Sequence, residues 1–214
     1  IRKLPPKYYM ANVVVRTGDD GRVCWGGIGK RSLQLKQEDY LWVQIDGKRV
    51  FYSLDTFFQA NRSILPLIIQ KVRSNVLLDK ADVFFDLYSG VGLFGLFLAD
   101  HMQKVVMIEE NLASTKIAKY NIEYNKAENI DVVEGKVEEV LSRTWETYPT
   151  GKKTALIDPP RGGLKEETAA FLASCRELNS LYYLSCSAET LVHDLTILLR
   201  GGWKINEVCP FDFF

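Results

Sequence analysis

The sequence has no excess of charge of either sign, few histidines and no paired cysteines. Lys and Arg number 27 and Asp and Glu number 27 in 214 residues, so the net charge is zero. A neutral chain has no long-range pull on a polyanion, and contact with nucleic acid then falls to a local basic patch. Cys24, Cys175, Cys186 and Cys209 form no C-x-x-C pair, which argues against a zinc site or iron–sulfur cluster built by this chain. No metal is therefore expected. No apolar run approaches about 18 residues and no signal-peptide pattern opens the chain, so no membrane partner is expected. The expected setting is a reducing, cytoplasmic compartment in which the thiols stay free. Internal repeats and low-complexity tracts are also missing. The chain opens on Ile1 rather than Met, and further residues are expected before it.

What is present suits a globular core, with 47% apolar and 12% aromatic residues. At roughly 100–200 residues per domain, the length allows one full domain and a smaller piece. Residues 1–56 read as a β-rich appendage. Asn12 to Thr17 and Arg22 to Ile28 flank a turn at Gly18-Asp19-Asp20-Gly21. Tyr40 to Ile45 and Arg49 to Ser53 flank Asp46-Gly47, a strong hairpin signal. Residues 61–78 carry a helical pattern, with Ile64, Leu65, Ile68, Ile69 and Val72 on one side. Pro66 falls in its first turns, where proline is tolerated.

From residue 82 short apolar strands alternate with helices. The strands are Val83 to Leu87, Val105 to Ile108, Ile130 to Val133, Thr154 to Ile157, Leu181 to Leu184 and Trp203 to Val208. Helical patterns stand out at 92–100, 112–124, 166–175 and 188–199. This alternation predicts an α/β fold, a mainly parallel Rossmann-like sheet with helices on both faces, over residues 57–214. Ligands in such folds bind outside the carboxyl ends of the strands.

Three motifs fall at those ends. Asp86-Leu87-Tyr88-Ser89-Gly90-Val91-Gly92 follows the first strand of the α/β part, and Gly90 and Gly92 permit a tight turn against a ligand. Glu109 ends the next strand, 23 residues after Asp86, where an acid can accept from ribose hydroxyls. Dinucleotides and S-adenosylmethionine both use this arrangement, and a plain glycine turn with a solvent-facing Glu also fits it. Asp158-Pro159-Pro160-Arg161-Gly162-Gly163-Leu164 follows the fourth strand. Its prolines stiffen the backbone, so Asp158 can address a planar base edge. A rigid loop with a capping acid is the plainer reading. Methyltransferases of exocyclic amines carry an aromatic where Arg161 stands, which argues against amine chemistry. Cys186 lies between the fifth strand and a helix start capped by Ser187. Alone it reads as a buried structural cysteine. On the same sheet edge as Asp158 and the glycine loop it reads as a nucleophile.

Together these motifs resemble the RNA 5-methyluridine methyltransferases, which modify tRNA or rRNA. The matching stretches are Phe57-Phe58-Gln59-Ala60-Asn61, Asp86 to Gly92, Glu109, Asp158 to Leu164, Tyr183 to Leu191 and Val208 to Phe214, across roughly residues 50–214. The resemblance implies S-adenosylmethionine as cofactor, RNA as partner, a monomer, and a covalent cysteine–C6 adduct on uridine. It makes Cys186 and Asp158 catalytic, and places Gln59, Tyr88, Gly90, Gly92, Glu109 and Asp158 around the cofactor. It leaves Phe58 and Arg161 to the RNA, with Phe58 as an exposed ring able to stack on a flipped base. Scattered cations, Lys30, Arg31, Arg62, Arg73 and Lys165, add to Arg161. Leu93, Lys136 and Ser187-Ala188 depart from the family's usual Asn, Asn or Asp, and Asn-Pro. The family's general base, a Glu in His-x-Glu, falls past Phe214, as does the last strand of its sheet. We therefore expect the chain to be truncated. His101 and His193 are poor substitute bases, and His193 is expected to be packed or to cap its helix. A non-covalent methyltransferase on another target, and a non-catalytic cofactor- or RNA-binding module, remain as alternatives.

Overall fold

Val83, Phe85 and Leu87 pack on one side of a strand while Phe84 and Asp86 face the other, and all five are buried. A strand apolar on both faces must lie inside a sheet covered on both sides. The computed structural model describes residues 13–27, 40–59, 61–79 and 81–212 and shows that arrangement. Lys30, Arg31 and the outer ends of the expected 12–17, 22–28 and 208–214 stretches lie outside the described residues.

Two antiparallel hairpins come first. One pairs β1 (Val13–Thr17) with β2 (Val23–Gly27), the other β3 (Leu41–Ile45) with β4 (Lys48–Tyr52). Asp46 and Gly47 take φ of 43° and 80° in the two-residue turn between Ile45 and Lys48, as Asp-Gly requires. Helix α1 (Leu65–Asp79) follows, starting four residues later than the apolar pattern suggests. Pro66 is its second residue, where a missing N–H costs no helical bond.

The remaining order is β5 (Val83–Leu87), α2 (Leu93–Leu98), a 3-10 turn (Ala99–His101), β6 (Lys104–Glu109), α3 (Leu112–Asn125), β7 (Ile130–Glu134), α4 (Val137–Thr147), β8 (Lys153–Ile157), α5 (Glu166–Ser174), β9 (Leu178–Tyr183) and α6 (Ala188–Arg200). The five strands β5 to β9 are all parallel, in the order β7-β6-β5-β8-β9. The chain leaves β5 in one direction and returns to its other side with β8. The switch point therefore lies at the carboxyl end of β5, between β6 and β8.

One face of this sheet is covered by α1, α2, α3 and the β3–β4 hairpin, which share a core around Phe84, Leu96 and Met107. The other is covered by α4, α5 and α6, around Phe85, Ile157 and Trp145. Phe85 stacks on Trp145 with ring centroids 4.4 Å apart. The hairpin is bonded as well as packed. Buried Asn121 of α3 accepts from Phe51 N (2.7 Å) and donates to Phe51 O (3.1 Å) and to Val91 O (2.9 Å).

The sixth expected strand, Trp203 to Val208, is corrected: residues 203–210 run without strand pairing. A strand needs a ladder partner, and β9 is paired only with β8 among the described residues. Side chains hold this segment instead, through Trp203 Nε1 donating to Leu172 O (2.9 Å) and Lys71 paired with Glu207 (2.6 Å). No helix among the described residues is long and apolar enough to cross a membrane.

Candidate active site

Backbone bonds hold the strand ends in line along the carboxyl edge. Ser89 N donates to Ile108 O (3.1 Å), Asp158 N to Leu87 O (3.3 Å) and Leu184 N to Ile157 O (2.8 Å). The glycine loop, Glu109, Asp158 and the Cys186 turn thus follow adjacent strands on one edge.

Tyr88 turns the chain out of β5 with φ at 61°, a conformation costing about 1–3 kcal/mol for a residue with a side chain. Its buried hydroxyl neighbours that of Thr168 in α5, and burial pushes its pKa up to about 12. The Tyr88 hydroxyl thus lies on the α4–α6 face, while its ring is half-buried. Gly92 precedes α2 with φ at 84°, and a Cβ there would meet Met107 Sδ at 2.9 Å. Only glycine satisfies both conditions. Over Gly90, by contrast, a Cβ would meet nothing within 4 Å, so the loop's outer side is open.

Glu109 closes the loop from β6. Its Oε2 accepts from Gly90 N (2.8 Å) and its Oε1 from Asn111 N (2.7 Å). Each oxygen keeps a lone pair for a hydroxyl donor. Beneath the loop, Asp86 is 1% exposed and its Oδ2 accepts from Gly95 N (2.8 Å). Desolvation pushes its pKa up to about 7, aided by the charges of Asp158 and Glu109 and opposed by the Gly95 N–H. Burial also raises Asp158, to about 6. Ser89 Oγ is buried in the same loop without a partner. An open glycine cradle, an acid with free lone pairs and an orphaned hydroxyl fit a ribose-bearing cofactor such as S-adenosylmethionine.

Cys186 is exposed, one residue before the cap of α6. Ser187 Oγ accepts from Thr190 N (3.5 Å), and Ser185 Oγ bonds both Ser187 O (2.8 Å) and Ser187 N (3.2 Å). The thiol is thus offered at the sheet edge from a tight turn, and the reading of a buried structural cysteine does not hold.

Two other expectations are corrected. Phe58 is 6% exposed and its ring stacks on Tyr52 at 4.3 Å, so it is not an open stacking platform; its neighbour Phe57 is 69% exposed. Buried Tyr52 at the end of β4 draws one ring of the Phe57-Phe58 pair into the core, and the other stays out. His193 is neither packed nor a cap. Its side chain is 74% exposed and its Nδ1 lies 3.1 Å from Asp194 Oδ1. Arg161, three residues after Asp158, is exposed, Gln59 is half-buried, and Lys136 pairs with Glu139 at 3.0 Å. Among the described residues no His, Cys, Asp and Glu group suits a metal.

Asn121 and Asp194, two buried polar residues that tie this edge together, have no motif to mark them. Each falls on the buried side of its helix, Asn121 with Ile117 and Ala118, Asp194 with Leu198. A polar residue on an apolar stripe was the available signal.

Comparison with known proteins bears on the same edge. An RNA methyltransferase of Oceanobacillus iheyensis is 29% identical over 214 residues, all of this chain and 46% of that protein. The 23S rRNA (uracil(747)-C(5))-methyltransferase of Pyrococcus abyssi is 30% identical over 180 residues, 84% of this chain and 41% of that one. The chain thus spans less than half the length of these relatives. The crystal structure of Pyrococcus abyssi tRNA (uracil-54, C5)-methyltransferase with S-adenosyl-L-homocysteine superposes with a TM-score of 0.70 at 21% identity. It covers 87% of this chain and 52% of that one, and shows the shared fold. A sequence model described as tRNA (Uracil-5-)-methyltransferase matches residues 26–214, so the chain belongs to the tRNA (uracil-5-)-methyltransferase family.

Proposed function

We propose that this chain is the cofactor-binding and catalytic part of an enzyme that transfers a methyl group from S-adenosylmethionine to C5 of a uridine in tRNA or rRNA. The observation that carries this reading is an exposed cysteine on the same sheet edge as a glycine cradle and the raised carboxyl of Asp158. Residues 57–214 are the cofactor domain in this reading, with residues 1–56 as an appendage joined to it through Asn121.

Glu109 would accept from the ribose, the Tyr88–Gly92 loop would seat the amino-acid end, and Gln59 would line the same pocket. S-adenosylmethionine, when bound, supplies an electrophilic methyl group. C5 of uracil is a poor nucleophile, and Cys186 addresses that. Its thiolate adds to C6, and the displaced π electrons make C5 carbanion-like, with the charge delocalised to O4. C5 would then take the methyl group as its bond to the sulfonium sulfur breaks, with S-adenosylhomocysteine as the leaving group. Loss of the C5 proton to a base expels the sulfur and restores the ring. By the family resemblance that base would be the Glu of a His-x-Glu motif. Asp158, held at the end of β8, hydrogen-bonds the pyrimidine edge. Exposed Phe57 and Arg161 would face the RNA.

Fluorine at C5 cannot leave as a proton does, so 5-fluorouridine RNA should trap the adduct. In the intact protein, with S-adenosylmethionine, we expect a denaturation-resistant protein–RNA band that Cys186→Ala abolishes. Full methylation by Cys186→Ala would end the covalent mechanism.

A further inference from the structure

Asp194 is a buried carboxylate that the chemistry above does not use. It is 1% exposed, on the inner side of α6. Its Oδ2 accepts from Leu164 N (2.8 Å) and from the Tyr183 hydroxyl (2.6 Å), and its Oδ1 faces His193 Nδ1 (3.1 Å). The same Oδ2 would lie 2.7 Å from a Cβ on Gly163, whose φ is 77°. The loop therefore needs glycine here to let the carboxylate in.

These contacts join three segments. Leu164 ends the Asp158-Pro159-Pro160-Arg161-Gly162-Gly163 loop, which Gly163 N closes on Pro160 O (2.9 Å). Tyr183 is the last residue of β9, three before Cys186. Asp194 itself rides on the helix that starts just after Cys186. The two residues assigned to chemistry thus stand in different loops, and the strand ends fix only one side of each. Asp194 fixes the other side of both with one oxygen. A salt bridge kept for stability would not need this convergence, and a buried acid is costly to retain without several donors.

We propose that Asp194 is a positioning residue that sets the separation of Asp158 and the Cys186 thiol by clamping the β8 loop and the end of β9 to α6. The proposal rests on the uridine methyltransferase reading only for its activity readout. The carboxylate acts here by geometry, so an amide can replace it. In Asp194→Asn the amide oxygen takes both Oδ2 bonds, and the amide N–H faces His193 Nδ1, which accepts in its other tautomer.

The test uses the intact protein. Asp194→Leu fills the same space without an acceptor and should lower kcat about 100-fold, the scale of a misplacement near 1 Å, with KM for S-adenosylmethionine within about twofold. Asp194→Asn should keep kcat within about threefold of the parent. Tyr183→Phe removes one donor without risk to folding and should lower kcat about fivefold, with no added loss in Asp194→Leu. Amide hydrogen exchange gives a readout free of activity: residues 158–164 should exchange faster in Asp194→Leu while residues 88–95 keep their rates. The proposal is overturned if Tyr183→Phe leaves kcat unchanged, if Asn is as slow as Leu, or if exchange rises equally in both segments. If the parent protein methylates no uridine, the functional reading fails. The exchange comparison then still decides the role of Asp194.

Discussion

At the scale of single residues, Asp86 shows how the site can oppose the stability of the fold. Its carboxyl ionises near 3.8 in an exposed chain and near 7 in the fold, mainly through desolvation. Below about pH 4 it is neutral in both states and costs nothing. Between those values the unfolded chain ionises first, so stability falls as pH rises. Above about 7 the fold carries a buried charge. At about 1.4 kcal/mol per pKa unit, the full loss is roughly 4 kcal/mol. Asp86→Asn can keep the acceptor for Gly95 N while removing that charge. We expect it to be near neutral at about pH 3.5, below the unfolded pKa, and to raise Tm by about 8–16 °C at pH 8, at about 2–4 °C per kcal/mol for this size. Thermal denaturation at the two pH values checks this, and an equal change at both would show that the charge is relieved another way. Cys186, Asp158, Glu109 and the glycines were legible at this scale because strand ends and punctuating residues mark them. The Phe57-Phe58 pair was not, since adjacent rings of one type carry no sign of which turns inward.

At the scale of elements, the alternation of short apolar runs with 3.6-residue patterns told most of the sheet. Strands β5 to β8 fall within a residue of the predicted runs, and β5, β6 and β8, buried on both faces, have little choice of residue; half-exposed β9 starts three residues before the predicted Leu181. Helix α4 lies outside the helical patterns that stand out in the sequence. Val137, Val140, Thr144 and Thr147 are β-branched and weaken its intrinsic preference, so the burial of Val137, Val140, Leu141 and Trp145 decides it. The 203–208 run has strand composition but no ladder, and pairing is a property of neighbours that sequence pattern does not carry. The placement of the β3–β4 hairpin was equally hidden, since it depends on Asn121 meeting Phe51 and Val91. Asn121→Leu would strand three buried backbone groups at once. At about 1–3 kcal/mol for each, we expect a loss of at least roughly 3 kcal/mol in urea denaturation. Because Val91 belongs to the glycine loop, S-adenosylhomocysteine affinity measured by calorimetry should fall as well. Loss of stability with unchanged affinity would show that the hairpin and the loop are independent.

At the scale of the whole molecule, the zero net charge limits how the RNA of the proposed function could be held. The electrostatic part of RNA affinity scales with the phosphates neutralised and appears as the slope of log affinity against log salt. Among the described residues several cations are already engaged: Arg62 with Asp19, Arg73 with Asp46, Lys119 with Glu134 and Lys136 with Glu139. Such pairs neutralise phosphate poorly, because each contact must first break an ion pair. Arg161 differs. It is exposed, follows the prolines after Asp158, and stands on the edge where, in the proposed function, the target base would arrive. A backbone phosphate beside a flipped uridine would meet it first. In the intact protein, Arg161→Ala should weaken RNA binding whatever the flanking sequence, and should reduce the salt slope by about one. Cofactor affinity should not change, since Arg161 lies outside the glycine loop. If the salt slope is unaltered while binding weakens, Arg161 contacts a base rather than a phosphate. If neither changes, the RNA crosses this edge from the β6 side.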